Sequence, residues 1–373
     1  MLGDGGNRNG SDGAKTAGLN DHVKSPAKLR PARLPAALVL FVLLLLTPFI
    51  CLFSLSVGAL AIGLDDLVEL LTQLLFGTVP DTAAMQSAHT VIAQIRIPRV
   101  MLAWLIGACL ALSGAAMQGL FRNPLADPSI IGVTSGASLG ASVAIVIFAG
   151  TAMQFAGLSI LVLGAFLGGL LAAGLVYRLS TRVHGTSVAT MLLVGIAITA
   201  LAGAANSALA FFADNEMLRR ISLWNMGALD VADKQRVQLA LLITLPASVL
   251  LMHYRSQLDA LLLGESEARH LGIDVGRLKR VVVFLVAIAV GSAVALAGVI
   301  GFVGLIVPHM LRLLIGPAHA YLLPCSALAG GLLLVLADTL ARVLVSPAEM
   351  PVGVITATLG APFFIMLLLR RAL

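Results

Sequence analysis

The chain reads as an all-α integral membrane protein of about ten transmembrane helices, built from a repeated half. Three observations predict this. Of its 373 residues, 59% are hydrophobic and only 11% are charged, where a soluble domain carries about 25% charge. Apolar runs near the roughly 20 residues needed to cross a bilayer recur from residue 36 to the C-terminus. Finally, Gly107, Ala111, Leu112, Gly114, Pro124 and Gly132 recur as Gly291, Ala295, Leu296, Gly298, Pro308 and Gly316, at one constant offset of 184 residues. Landmarks repeated in this way point to a duplicated half, a plan many transporters follow. Helices are the expected element because they satisfy their own backbone groups in lipid.

The expected spans run, in order, over residues 36–58, 91–120, 130–149, 155–177, 187–212, 236–253, 280–299, 302–315, 320–343 and 351–369. Residues 1–34 are rich in Gly, Asn, Lys and Ser and have almost no bulky apolar groups. They read as a disordered cytoplasmic tail, with a membrane domain over 35–373. Ala59-Leu60-Ala61 has the small-x-small form of a signal cleavage site. The apolar run before it is longer than the roughly 7–15 residues of a signal core, so it reads as a span. Cys51, Cys109 and Cys325 lie far apart in apolar runs, which suits packing rather than a disulfide or zinc framework.

With ten spans and the N-terminus inside, 17 of the 24 lysines and arginines fall on the cytoplasmic side. That bias supports the orientation, and the even span count places both termini in the cytoplasm. The chain has no G-x-x-x-x-G-K-[ST] loop and no H-E-x-x-H, so neither an ATP-binding P-loop nor a zinc protease site is expected. Catalytic residues, metal ligands and a nucleic-acid surface are likewise not expected. Within the apolar runs only Asp338 is acidic, and Arg342 lies four residues on, where the two pair on one helix face. Such a pair serves structure or ion coupling. Energy for transport then comes from a separate subunit, or the chain works downhill.

Five motifs carry the remaining signal. Arg96-Ile97-Pro98-Arg99 precedes the second span on the outer face, where basic residues are scarce. It suits a headgroup anchor or a protein-docking site, with Pro98 at a helix start. Arg122-Asn123-Pro124-Leu125-Ala126-Asp127-Pro128 suits a tight turn, plain or gating, at the inner mouth. Gly132, Gly136 and Gly140 share one helix face, with Gly164 and Gly168 in a similar pattern; both suit close helix packing. The charged segment 257–272 suits two short helices broken by Gly264 and Gly272, an amphipathic docking element for a cytoplasmic partner. Gly298, Gly301 and Gly304 followed by Pro308 suit a short or broken helix, with His309 facing the headgroups.

The segments RIPR, ALSGAAMQGLFRNPLADPSIIGVTSGA, LWNMGALD, LGESEARHLGID, GFVGLIVPHMLRLLIG and ADTLARVLVSPAEMPVGVITATLGAPFFIMLLL closely resemble the FecCD/BtuC-like permeases. These are the membrane subunits of type II ABC importers for haem, ferric siderophores and vitamin B12. The resemblance covers about residues 36–373, and Ala228 stands where members commonly carry serine. It implies a BtuC-like bundle with an inverted repeat, a bacterial inner-membrane location and a second permease subunit, in a homodimer or a heterodimer. Two cytoplasmic ATPase subunits and a periplasmic binding protein are implied as partners. No cofactor is implied on this chain; ATP-Mg belongs to the ATPase subunits, and the permease is not itself an enzyme. By position, Arg96, Arg99 and Arg342 match residues that dock the binding protein. Asn123 and Leu125 match a cytoplasmic gate, and Ser187 falls near a second gate position whose neighbours depart from the family pattern. Gly264, Glu265, Glu267, Ala268, Arg269, Leu271 and Gly272, within a coupling loop of about 255–279, match the ATPase contact. The stretch NEMLRRISLWNMGALD looks more like haem than vitamin B12 permeases, so haem is the first expected cargo and ferric siderophore the next. An ion-coupled secondary transporter is the alternative of another class.

Overall fold

A computed structural model describes residues 33–58, 62–77, 82–148, 154–155, 158–182, 185–346 and 348–372. The expected tail, up to residue 32, and Ala59-Leu60-Ala61 lie outside the described residues.

All ten expected spans are helical. The long ones are α1 (Ala36–Ser56), α4 (Ile97–Leu120), α6 (Ile160–Ser180), α7 (Val188–Phe212), the pair α9 (Lys234–Leu239) and α10 (Leu245–His253), α13 (Val275–Ala297) and α15 (His319–Val343). Helices α5 (Val133–Ile147), α14 (Val303–Ile315) and α16 (Val352–Ala372) complete the set. Among the described residues, seven helices are long and apolar enough to cross a membrane, and Val133–Ile147, Val303–Ile315 and Val352–Met366 are shorter apolar helices. Between the spans lie α2 (Leu64–Phe76), α3 (Ala83–Thr90), α8 (Asn215–Asn225), α11 (Arg255–Leu262) and α12 (Glu265–His270). Two two-residue antiparallel ladders, Gln154–Phe155 with Leu158–Ser159 and Thr181–Arg182 with Gly185–Thr186, flank α6.

Two prolines shape the long helices in a way the sequence reading missed. Pro98 does not start a helix. It sits inside one continuous helix over Met85–Leu120, just after a π-helical segment, Val91–Arg96. Pro246 likewise follows the π-helical segment Ala240–Thr244, which joins α9 to α10. A proline ring crowds the carbonyl four residues back and offers no N–H. Widening the preceding turn accommodates both defects without ending the helix. Helix α13 starts at Val275 rather than 280, so Arg277, Lys279 and Arg280 belong to its first turns instead of a loop.

Helices α4, α13 and α15 bury most of their surface and form the centre, as helices apolar all round should. Glycines set their approach. A Cβ on Gly107 would fall on the Gly330 carbonyl, and one on Gly330 on the Gly107 carbonyl, so α4 and α15 touch backbone to backbone. Gly136 and Gly140 of α5 meet Gly168 and Gly164 of α6 in the same reciprocal way. This is the packing expected of the glycine faces, worked by van der Waals contact. Gly132 also faces α6, against Ala172 and Val176, but through side chains rather than glycine backbone; it takes φ +75° and links the 3₁₀ turn Pro128–Ile131 to α5. A left-handed φ also starts α14, where Phe302 has φ +68°, and Gly298 before it has φ +71°. These two positions break the chain between α13 and α14, as the glycine spacing predicts.

The bundle has two distinct ends. The C-terminus of α1, the N-terminus of α4 and the C-terminus of α15 meet at one, where Arg96 reaches the Leu55 carbonyl and Arg342 the Val57 carbonyl. At the other, Leu34 N–H bonds the Leu314 carbonyl and His319 packs on Gly119. The start of α13 also lies at this end, where Lys279 meets Glu265 beside the Gly264–Arg122 approach, so α4 and α13 run in opposite directions, as inverted halves require. Three of the landmark pairs, Gly107 with Gly291, Ala111 with Ala295 and Leu112 with Leu296, fall inside α4 and α13, whereas others differ in position. Gly114 lies within α4 whereas Gly298 caps α13, and Pro124 sits in a turn whereas Pro308 lies inside α14.

Candidate functional site

At the first end the expected pairing of Asp338 with Arg342 forms, Nε to Oδ2 at 3.2 Å, and a third partner joins it. Arg99 Nε donates to Oδ1 and Oδ2 of Asp338 at 2.9 and 3.1 Å, across 239 residues of sequence. Arg99 also donates to Glu349 Oε2 at 2.7 Å. Arg342 further bonds the Ser54 carbonyl and hydroxyl at 3.0 and 2.9 Å, and Arg96 bonds the carbonyls of Leu55 and Ser56. Gly58 lies against this cluster: a Cβ there would be 2.8 Å from the Arg96 guanidinium. The three arginines expected as a docking set are thus brought together. They do not form an exposed patch: Arg96, Arg99 and Arg342 are 5, 5 and 8% exposed, and Asp338 is 1% exposed. The physical reason is that two of the guanidiniums have an internal carboxylate, and all three have carbonyls or carboxylates of neighbouring helix ends to satisfy them. Glu349, with 45% of its side chain exposed, is the cluster's most open member. Sequence reasoning missed it because it lies beyond the helix, in the segment between α15 and α16.

At the other end stands the turn expected as a gate. Helix α4 stops at Leu120, and Arg122 takes φ +49°. Asn123 Oδ1 accepts from Leu125 N–H at 3.0 Å, so the side chain folds its own turn. Asn123 is exposed and Leu125 half-buried. Ser187, the second expected gate residue, caps α7 and accepts from Thr190 N–H at 3.3 Å. The peptide joining it to Thr186 is held on both sides: Ser187 N–H bonds the Ser180 carbonyl at 3.3 Å, and Lys279 Nζ bonds the Thr186 carbonyl at 3.0 Å.

Segment 257–272 folds as expected, into α11 and α12, broken at Gly264 (φ +132°) and Gly272 (φ +82°). Ala268 is buried, while Glu267, Arg269 and Leu271 are exposed. Glu265 carries two cations: Lys279 at 2.7 Å and, more loosely, Arg269 at 3.8 Å. A Cβ on Gly264 would lie 2.7 Å from Glu267 Oε2 and 4.0 Å from an Arg122 guanidinium nitrogen, so this break faces the gate turn. Helix α11 contributes Asp259, whose Oδ1 accepts from His319 N–H at 2.8 Å and lies 2.7 Å from His319 Nδ1. Partial burial pushes the Asp259 carboxyl up, but the His319 hydrogen bonds and the nearby charges of His319 and Arg312 outweigh it and hold it below the usual carboxylate range. His309 is corrected: it does not face headgroups but is buried in α14, 3% exposed.

Lys279, Asp259 and His319 escaped the sequence reading. Lys279 looked like one more basic loop residue, and His319 one of several scattered histidines. The available signal was Ala318, a non-capping residue at a helix start, which implies that the cap comes from elsewhere. Among the described residues no cluster of His, Cys, Asp and Glu is placed to hold a metal ion.

Three comparisons bear on this architecture. The model of a family described as the FecCD transport family matches residues 43–370. The chain is similar to the hemin transport system permease protein HmuU of Yersinia pestis, 43% identical over 339 residues, which cover 91% of this chain and 97% of the relative. It is also similar to the cobalamin import system permease protein BtuC of Halobacterium salinarum, 45% identical over 290 residues, covering 77% of this chain and 75% of the relative. Among solved structures it resembles an inward-facing metal-chelate type ABC transporter. The TM-score is 0.75 at 35% identity, over 90% of this chain and 99% of that one.

Proposed function

Because this chain belongs to the FecCD transport family, we propose that it is the membrane-spanning permease subunit of a type II ABC importer that carries haem from periplasm to cytoplasm. The observation that carries the haem reading is the match to a hemin permease across 97% of that protein's length. A second cargo, vitamin B12, is favoured by the 45% identity to a cobalamin permease over a shorter stretch. A ferric siderophore is the third.

In this reading the chain sits in the bacterial inner membrane with both termini cytoplasmic. It works as a homodimer around a central pathway and holds no cofactor. Two ATPase subunits bind ATP-Mg and seat on α11 and α12, through Gly264, Glu265, Glu267, Ala268, Arg269, Leu271 and Gly272. Asn123, Leu125 and Ser187 close the cytoplasmic mouth. A periplasmic binding protein docks at the end that carries Arg96, Arg99 and Arg342. Since these guanidiniums are buried, a partner carboxylate reaches Arg99 by displacing Glu349, the most open member of the cluster. The test is reconstitution in liposomes with the ATPase and binding protein, offering haem, cobalamin and ferric siderophores. Uptake of haem with stimulated ATP hydrolysis is expected. Uptake of cobalamin or a siderophore alone overturns the haem reading, and uptake without ATP overturns the importer reading.

A further inference from the structure

Among the described residues, the buried charged or imidazole side chains are few: Arg96, Arg99, Asp338 and Arg342 at one end, then Lys279, His309 and His319. Burying an ammonium is expensive unless it is paired, and an apolar side chain would serve plain packing better. The positions of Lys279 and His319 therefore call for a reason, and the two share one. Each joins one of the short helices α11 and α12 to one of the two turns assigned as gates.

Lys279 Nζ bridges the Glu265 carboxylate, at the first residue of α12, and the Thr186 carbonyl, which belongs to the Thr186–Ser187 peptide. The lysine is 6% exposed. If α12 shifts, the ammonium either follows the carboxylate and draws on the Thr186–Ser187 peptide, or it is left buried without its charge partner. The second course is the costly one, so the α7 turn follows α12. His319 makes the matching link. Helix α15 has Ala318 at its cap position, with no side-chain cap of its own, and Asp259 of α11 supplies the acceptor for both the His319 N–H and Nδ1. The far edge of the ring, Nε2, occupies the space a Cβ on Gly119 would take. The Gly119 carbonyl in turn accepts from Arg122 N–H at 3.2 Å, the start of the Asn123 turn.

We propose that Lys279 and His319 are positioning residues that carry displacement of the two short cytoplasmic helices to the two gate turns, α12 to Ser187 and α11 to Asn123. This rests on the assignment of those helices to the ATPase contact and of those turns to the gate. It adds the physical link between them, which neither the motifs nor the relatives specify.

The readout is haem transported per ATP hydrolysed by the full importer in liposomes, with cobalamin as the alternative probe. Lys279→Met is expected to lower that ratio at least about fivefold, the lower range of coupling between distant sites. Lys279→Arg should recover most of it, since the charge and a donor remain. Adding Glu265→Gln to Lys279→Met should lower the ratio little further, because links in series fail once. Spin labels at Ser266→Cys on α12 and Ala189→Cys on α7 report the two ends of the link. Nucleotide should move both in the parent protein but only the α12 label in Lys279→Met. If Lys279→Met does not fold, Glu265→Gln alone, on a partly exposed helix, is read in its place and should lower the ratio by a smaller factor. A ratio equal to the parent's, or an α7 label that still moves with nucleotide, overturns the relay. A parent complex that takes up haem without ATP, or that fails to retain its ATPase, overturns the importer reading and the relay with it.

Discussion

At one end of the bundle Asp338 is shared between two guanidiniums, and Arg99 and Arg342 each also bond a second group. At the other, Asp259 holds His319, and Lys279 stands alone between Glu265 and a backbone carbonyl. The first is a closed net over three helix ends, in which the loss of one bond leaves others in place. The second is a pair of single-file links, each from an exposed helix to a turn. A net resists relative motion of its members, and a chain of single links transmits it. The contrast teaches that buried charge in this protein is sorted by task, with rigidity at one end and transmission at the other.

The comparison breaks most sharply at Asp338. Asp338→Asn takes from Arg342 its carboxylate partner and leaves Arg99 with Glu349, and removing one side of a buried pair costs about 3–5 kcal/mol. A large fall in the thermal unfolding midpoint in detergent is expected, with little dependence on ATPase subunits. A smaller loss is expected at the glycine contact between α4 and α15. Gly330→Val places a side chain on the Gly107 carbonyl, and overpacking of this kind costs about 1–3 kcal/mol; the same unfolding assay reads it. At the opposite end Asp259→Asn keeps an acceptor for the α15 cap and gives up only the charge. About 1 kcal/mol of stability is expected to go, below the Asp338→Asn loss, while uptake per ATP falls. A stability loss equal to that of Asp338→Asn would erase the distinction between net and link. The smallest effect sharpens it: Glu349→Gln loosens a half-exposed pair worth about 0.2–1 kcal/mol. Unfolding should barely move, while binding-protein affinity, measured at low salt, should rise as Arg99 is freed.

Much of this was legible in the residues alone. The ten spans follow from apolar runs, the α5–α6 contact from glycines four apart, and the Asp338–Arg342 pair from helical spacing. The breaks at Gly264 and Gly272 follow from glycine in a charged segment. What was not legible depends on which distant segments meet. Arg99 reaches Asp338 across most of the chain, and that contact turns an expected surface patch into buried structure. The π-helical turns before Pro98 and Pro246 were hidden because proline usually signals a helix start, and only tertiary packing on both sides keeps the helix going. Lys279 was hidden because it lies where an apolar run begins, a position at which lysine normally reaches water.

The span of 239 residues between Arg99 and Asp338 has a consequence for biogenesis. A ribosome completes α4 long before α15 exists, so during synthesis Arg99 waits without Asp338, while the α1 carbonyls that hold Arg96 are already made. Lipid headgroups are the natural interim partners, since a guanidinium on a long stem can lift itself to the interface. The final helices then do more than add spans. Their arrival draws the waiting Arg99 inward, and an arrested nascent chain released before Asp338 should still present it to the headgroup layer.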